Sequence, residues 1–194
     1  LETARQVLST AVDLGDMQRW LETEFTARPG PMMVYVSPVT GGWNFTNLDP
    51  VTPRLWAPAV EPPTSDYRRF LIVMSVFTEM DHNYVNGVTS RLGPDAYGFM
   101  TEANGWATTS AWSDYGSAEL VANEYMTFAA YLIYAQERLD AATFVRIADA
   151  TRRMMQGRGF VRFPAFADAL IVARKSEPTA LEALYPKVLA AVRV

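Results

Sequence analysis

The sequence predicts an α+β fold, in which a small N-terminal sheet precedes a mostly helical domain. Short apolar runs, bounded by prolines and glycines, occupy the segment before residue 64, and longer runs with helical spacing follow it. The first segment has too few strands, too often interrupted by proline, for a doubly wound sheet. With 49% hydrophobic and 20% charged residues, the 194-residue chain is typical of a folded domain. We therefore describe residues 1–194 as one domain, with helix and sheet in 1–64 and the helical part in 65–194.

The first helix is predicted over residues 3–27, where apolar side chains recur at helical spacing, with a break near Gly15 and Asp16. Prolines at positions 29 and 31 end it. The apolar run 32–36 predicts a strand, residues 43–45 begin a second strand, and 54–57 is interpreted as an edge strand because prolines surround it.

The helical part begins with a helix predicted from residue 67 to about 85. Ser65 or Asp66 can cap it, and its middle, 70–77, is apolar on all sides, which indicates burial. Gly157 and Gly159 separate two later helices, and Pro178 indicates the start of the last one. The later helices are predicted over residues 117–138, 140–156, 163–174 and 178–192.

The composition excludes several classes of function. The formal charge of −4 argues against a nucleic-acid-binding protein, which normally carries a basic surface. The absence of cysteine excludes disulfides, cysteine-ligated zinc, iron–sulfur clusters and a thiol nucleophile. There is no run of about 20 apolar residues, so no transmembrane segment is predicted. His82 is the only histidine, which excludes any site that needs two histidines from one chain.

The sequence begins with Leu1 rather than with methionine, which indicates a mature or trimmed fragment. Both the cytoplasm and export to the periplasm or the medium stay open as compartments, because a chain without cysteine suits either. The sequence predicts no oligomeric state.

The most informative polar cluster lies at the end of the buried apolar run. On a helix, Thr78, Glu79 and His82 project from one face, because side chains three and four residues apart are neighbours. Zinc peptidases use this spacing in His-Glu-x-x-His, where two histidines hold the metal and the glutamate polarises a water. Thr78 stands at the first histidine position, and a threonine hydroxyl is not among the usual zinc ligands.

A second carboxylate lies on the helix predicted over 117–138. Glu124 falls on the apolar stripe formed by Val121, Phe128, Tyr131 and Ala135, and therefore points towards the core. A buried carboxylate needs a partner, a proton or a metal. We expect Glu79, His82 and Glu124 to converge in one cleft.

Structural interpretations compete with each of these assignments. His82 alone is better explained as a core or surface histidine with satisfied hydrogen bonds, and it is equally well explained as a metal ligand once Glu79 and Glu124 are considered with it. Glu79 is either a general base, a metal ligand in a Glu-x-x-His pair, or a buried hydrogen-bonding group. Asp81 lies about 100° around the helix from His82 and is predicted to be solvated or capping.

Two further groups of side chains also have competing interpretations. Loop aromatic residues either form a binding platform for peptide or sugar or, more simply, cover a core. The basic group is interpreted as a solvated surface. The aromatic residues are Trp43, Trp56, Trp106 and Trp112, and the basic ones are Arg152, Arg153, Arg158 and Arg162.

The chain resembles an uncharacterised bacterial domain-of-unknown-function family that is similar to gluzincin-type metallopeptidases, a zincin-like class. The motifs that carry the resemblance are the segment 35–45, Glu79-x-x-His82-x-x-x-Asn86, the segment 124–131, Gly159-Phe160 and Leu181-x-x-Leu184-Tyr185-Pro186. It implies a zincin-like fold, zinc as cofactor and a peptide or protein as substrate. It also implies His82 and Glu124 as metal ligands and Glu79 as general base. The chain departs from the family at Thr78, where a histidine is usual, and at Gly87, where a proline is usual.

These observations lead to two main hypotheses. The first is a metal-dependent, peptidase-like hydrolase with an incomplete zinc motif, in which the strand at 32–36 is an edge that holds an extended peptide. The alternative is a non-catalytic zincin-like protein that binds peptide or glycan. A third hypothesis gives Glu79, His82 and Glu124 a metal other than zinc.

Overall fold

The computed structural model describes residues 2–37, 45–49, 51–58 and 62–193. It confirms the α+β class, with a three-stranded sheet and 67% helix. Among the described residues, the elements in chain order are α1 (Glu2–Ala11), α2 (Leu14–Glu24), β1 (Met33–Ser37), β2 (Phe45–Asn47), β3 (Arg54–Pro58), α3 (Asp66–Leu92), α4 (Pro94–Tyr97), α5 (Thr109–Tyr115), α6 (Ala118–Gln136), α7 (Ala141–Gly157), α8 (Phe163–Ser176) and α9 (Leu181–Val192).

The chain divides into two compact units, Leu1–Tyr84 and Val85–Val194, and the border falls within α3. The description of residues 1–194 as one zincin-like domain stays a prediction. None of the described helices is both long enough and apolar enough to cross a lipid bilayer.

In the first unit, the predicted N-terminal helix is two helices. The break comes at Asp13, slightly before the predicted position, because its carboxylate accepts a hydrogen bond from the Asp16 N–H at 2.8 Å and caps α2. Helix α2 packs against α3 through Trp20 and Phe77, whose ring centroids are 5.7 Å apart. These contacts make α2 and the first part of α3 one packed layer of the unit.

The sheet has the strand order β1-β3-β2, with β1 parallel and β2 antiparallel to β3. The prediction that 54–57 is an edge strand is therefore wrong, because β3 is the central strand. Pro53 precedes β3 and Pro58 ends it, so the four residues between them keep their N–H groups for pairing. The second strand begins at Phe45, and the predicted residues 43 and 44 lie outside the described part of the chain.

The two faces of the sheet differ in burial. Leu55 and Ala57 are buried on one face. Thr46, which pairs with Leu55, shares this face, and its hydroxyl accepts a hydrogen bond from the Asn83 side chain of α3 at 3.3 Å. Since successive side chains of a strand point to opposite faces, Tyr35 and Trp56 lie on the other face.

Helix α3 extends seven residues beyond its predicted end. Asn86 and Gly87 are weak helix formers and suggested an end near Val85. The helix continues because Val88 and Thr89 are buried, and burial outweighs propensity. Gly93, at φ +77°, then ends the helix in a conformation that favours glycine.

The second unit is built around α6, which is buried from Val121 to Ala135. Ser117, where the helix was predicted to begin, caps it, with its hydroxyl accepting from the Leu120 N–H. The Tyr125 hydroxyl donates to the Trp106 carbonyl at 2.6 Å and accepts from the Arg162 N–H at 2.9 Å. Helix α6 is thereby tied to the loops before α5 and before α8.

Candidate functional site

The residues Thr78, Glu79 and His82 lie on α3 in the first unit, as the sequence predicted. Glu79 is buried and His82 is half-buried. Thr78 is almost fully buried, and its hydroxyl donates to the Met74 carbonyl one turn earlier at 3.0 Å. The side chain at the first ligand position is therefore already satisfied by its own helix.

Asp81, between Glu79 and His82 in sequence, is not solvated as predicted. It is fully buried, and neither of its carboxylate oxygens has a hydrogen-bond partner among the described residues. Burial raises the pKa of Asp81 well above its usual value, while the charge of His82 acts in the opposite direction. Burial therefore favours the protonated form of Asp81.

Tyr84 lies one turn beyond Asp81 on the same helix and is also fully buried. Its ring centroid is 6.1 Å from that of Phe25, and its hydroxyl has no hydrogen-bond partner among the described residues. Burial raises the pKa of Tyr84, and the charges of Glu22 and Asp81 raise it further. Asp81 and Tyr84 were not identified from the sequence as buried polar groups, because the other residues on this face of the helix are apolar.

Glu124 lies on α6 in the second unit and is buried, as predicted. Its carboxylate accepts a hydrogen bond from the Arg158 guanidinium at 2.8 Å. The same guanidinium group donates to the Tyr115 hydroxyl. The interpretation of Arg158 as part of a solvated surface is therefore incomplete: its side chain is 36% exposed, but its guanidinium group also binds Glu124 of α6.

The surroundings of Arg158 fix its position. Its guanidinium carbon lies 5.0 Å from the Phe128 ring centroid and 5.4 Å from that of Phe160. Burial works to lower the pKa of Arg158, but the charges of Glu124 and Tyr115 and the hydrogen bonds to both side chains together outweigh it, and the pKa is raised. Burial, assisted by the charge of Glu124, also raises the pKa of Tyr115. The three groups form a partly buried network.

A zinc ion of the implied kind does not fit these residues. Thr78 offers no ligand at the first position, and at the third position the carboxylate of Glu124 is held by a cationic side chain. No group of three or more His, Asp or Glu side chains in the described part of the chain is arranged to hold a metal. Glu79 and His82 belong to one unit and Glu124 to the other, so their convergence stays a prediction.

A separate surface lies on the sheet of the first unit. Phe45 of β2, Trp56 of β3 and Tyr35 of β1 form a stack of rings across the three strands, which we call the aromatic ladder. The ring centroids are 4.5 Å apart from Phe45 to Trp56 and 5.5 Å apart from Trp56 to Tyr35, and the planes differ by 10° and 19°. Of these three residues, only Trp56 was a candidate binding residue in the sequence analysis. A ladder across strands depends on the register of the strands, which the sequence does not show.

The aromatic ladder lies in an exposed apolar region. Of the nine exposed large apolar side chains among the described residues, five lie between residues 33 and 51. A grouping of this kind marks an interaction surface more often than single exposed apolar residues do. The five are Met33, Tyr35, Phe45, Leu48 and Val51.

Strand β1 is at one edge of this sheet. The Met33 N–H donates to the Pro53 carbonyl at 3.0 Å, so Met33 and Tyr35 direct their backbone groups towards β3. Val34 and Val36 alternate with them and direct their N–H and C=O groups away from the sheet. No other described strand pairs with this side of β1. These groups can accept an added strand.

No protein-family model, no curated protein and no solved structure matches this chain.

Proposed function

We propose that this chain is a non-catalytic, zincin-like protein that binds an extended peptide by strand addition to β1. The observation that carries the proposal is the edge position of β1, with the outward backbone groups of Val34 and Val36 beside the exposed side chain of Tyr35. Main-chain hydrogen bonds would provide affinity, and the exposed side chains of β1, Met33 and Tyr35, would select the peptide.

The bonding of the zinc-motif residues supports a non-catalytic role. The Thr78 hydroxyl is used by its own helix, and the Glu124 carboxylate is used by Arg158. A metal bound to Glu124 would lie beside the Arg158 guanidinium group, whose positive charge repels a cation. The proposed function therefore involves the sheet edge alone.

The geometry of the sheet edge favours a peptide over a glycan. The open ring face at the end of the aromatic ladder could accept either ligand, since the rings of Tyr35 and Phe45 cover only Trp56. The outward N–H and C=O groups of Val34 and Val36, however, have the spacing of a peptide main chain, which a glycan does not match.

The test compares two substitutions at one residue. Val34→Pro removes the outward N–H of β1 and leaves the bonds to β3 intact, whereas Val34→Ala keeps that N–H. The probe is a fluorescein-labelled peptide of alternating valine and threonine, flanked by lysines for solubility, and fluorescence anisotropy reports binding. We expect wild type and Val34→Ala to bind this peptide and Val34→Pro to lose at least about tenfold in affinity, since it lacks one hydrogen bond and excludes the neighbouring strand. Equal affinity of Val34→Pro and wild type would contradict the proposal.

The metal-dependent hydrolase is a second candidate, favoured by the spacing of Glu79 and His82 on one face of α3. It predicts that Thr78→His creates or strongly tightens a zinc site, because residues 78 and 82 are one turn apart. Zinc at 100 times its dissociation constant would stabilise the variant by about 2.7 kcal/mol and raise its melting temperature. Wild type is the control. Calorimetry that gives the same zinc affinity for both proteins would eliminate this candidate.

A further inference from the structure

The spacing of the aromatic ladder follows from the spacing of the strands that carry it. Neighbouring strands lie about 4.8 Å apart, and the ring centroids are 4.5 and 5.5 Å apart. The ladder ends at Tyr35, whose side chain is 42% exposed. A strand added beside β1 would place a side chain about 4.8 Å beyond Tyr35, at the next position of the same stack.

The hydrogen-bonding pattern of β1 fixes which residue of the added strand meets Tyr35. Val34 and Val36 provide the outward backbone groups, so in an antiparallel pair Tyr35 occupies a non-hydrogen-bonded position. Opposed residues at such positions have their side chains closest together, with Cα atoms about 4.5 Å apart. The residue opposite Tyr35 is therefore the one whose side chain the protein contacts most closely.

We propose that the peptide carries an aromatic residue opposite Tyr35, which extends the aromatic ladder from three rings to four. This inference rests on the proposed function and names the class of ligand. The exposed side of the Tyr35 ring is the end of a stack in which each ring already packs against its neighbour in nearly parallel planes. Aromatic pairs across strands are favourable beyond the area that they bury.

The neighbouring side chains favour an uncharged ring over a cationic side chain. Met33 lies beside Tyr35 on the same face, is exposed, and has its sulfur 3.9 Å from the Tyr35 hydroxyl. Arg54 pairs with Met33 in the register of β1 and β3, and the Asp49 carboxylate offsets its positive charge, so this part of the face has no net charge to attract a charged side chain of the ligand.

The ligand is assigned to β1 rather than to β2, the opposite edge of the described sheet. Within the described ranges, β1 has five residues and β2 has three, so the described part of β1 offers more main-chain hydrogen bonds to a partner. Phe45 ends the aromatic ladder on the β2 side and is also exposed. Substitution of Phe45 therefore provides the matched control.

The experiment uses three versions of the labelled peptide, with phenylalanine, alanine or lysine at the centre. We expect wild type, Tyr35→Phe and Phe45→Ser to bind the phenylalanine peptide about fivefold more tightly than the alanine peptide, and the lysine peptide no better than alanine. Tyr35→Ser should bind all three peptides with similar affinity. Melting temperatures of the variants check that each is folded, as expected for side chains exposed on the sheet surface.

The outcomes separate this inference from the proposed function. If Tyr35→Ser keeps the preference for phenylalanine, or Phe45→Ser loses it, the contact opposite Tyr35 is wrong. If wild type binds all three peptides equally and Val34→Pro still abolishes binding, strand addition stands and the aromatic preference is wrong. If no peptide binds wild type, the proposed function itself fails and the inference fails with it.

Discussion

At the scale of single residues, Asp81 is an unusual feature of the first unit. A buried carboxyl group without a hydrogen-bond partner among the described residues costs stability, and it avoids a larger cost by holding a proton. Because burial raises its pKa in the folded state, its contribution to stability is greatest below the unfolded pKa of about 3.9 and falls as pH rises towards the folded pKa.

We predict that Asp81→Asn stabilises the protein at pH 7 relative to pH 4, because the buried amide has a burial cost similar to that of the carboxylic acid but does not have to take up a proton on folding. The gain should shrink towards pH 4, where Asp81 is increasingly protonated in the unfolded chain as well. Urea unfolding of both proteins at the two pH values measures the difference. A gain that grows as pH falls would contradict the assignment of a raised pKa.

The contact between Arg158 and Glu124 is a second residue-scale feature with a measurable consequence. Arg158→Met leaves Glu124 buried without its cation and should destabilise the protein by about 2–3 kcal/mol, below the 3–5 kcal/mol of a fully buried pair, since the Arg158 side chain is 36% exposed. Adding Glu124→Gln to Arg158→Met should recover part of the loss, because it removes the unpaired charge. Purely additive effects in this double-mutant cycle would mean that the two side chains do not interact in solution.

Some of these residue-scale features could be predicted from the sequence, and others could not because they depend on contacts between distant parts of the chain. The burial of Glu124 was predictable, because helical spacing places it on the apolar stripe of its own helix. Its partner was not, since Arg158 is 34 residues away and only the packing of α7 on α6 joins them. Asp81 was misplaced because a charged residue was assumed to be solvated, although residues on its own face of α3, such as Phe77 and Tyr84, are buried.

At the scale of elements, the connection from α7 to α8 depends on two glycines with different surroundings. Gly159 has φ +94°, and a Cβ there would lie 2.2 Å from the Thr108 hydroxyl and 2.9 Å from the Ala111 Cβ. Gly157 has no neighbour within 4 Å of such a Cβ. Of the two glycines, only Gly159 therefore lies close to the start of α5.

We predict that Gly159→Ala destabilises the protein by at least about 2 kcal/mol, from steric overlap and an unfavourable backbone conformation. The matched variant Gly157→Ala should be neutral or stabilising by up to about 1 kcal/mol, because it lies at the end of α7. Thermal unfolding of both variants tests this. Similar losses in the two would mean that residue 159 does not approach α5.

The elements themselves were largely predictable. The helices of the second unit lie close to their predicted bounds, because caps such as Ser117 and Asp140 are local signals. The central position of β3 could not be predicted, since strand order depends on which partner strands come from elsewhere in the chain. Similarly, α3 continues through Gly87 because of the burial of Val88 and Thr89, which the sequence does not display.

At the scale of the whole molecule, buried tyrosines couple folding to alkaline pH. Burial raises the pKa of Tyr84, Tyr115 and Tyr125 above the usual value of about 10. Each therefore favours the folded state below pH 10, and this advantage is lost as pH rises through the folded pKa.

We predict that the folded protein shows incomplete tyrosine ionisation at about pH 11, and that the remaining tyrosines ionise together as the chain unfolds. Absorbance at the tyrosinate band, recorded with circular dichroism during a pH titration, measures both events. The guanidinium-unfolded protein is the control, in which all nine tyrosines should ionise together near pH 10. Complete ionisation while the helical signal persists would contradict the burial of these hydroxyls.

The open edge of β1 also bears on how the protein behaves at high concentration. Edge strands commonly resist self-association through lysines, prolines or bulges, and the segment Met33-Val34-Tyr35-Val36-Ser37 contains neither lysine nor proline. Pro31 precedes it and Pro38 follows it in sequence, so uninterrupted pairing between copies of this segment is confined to a short stretch. The free edge of β1 should nevertheless promote self-association at high concentration, and a bound peptide should suppress it and extend the shelf life of a concentrated solution.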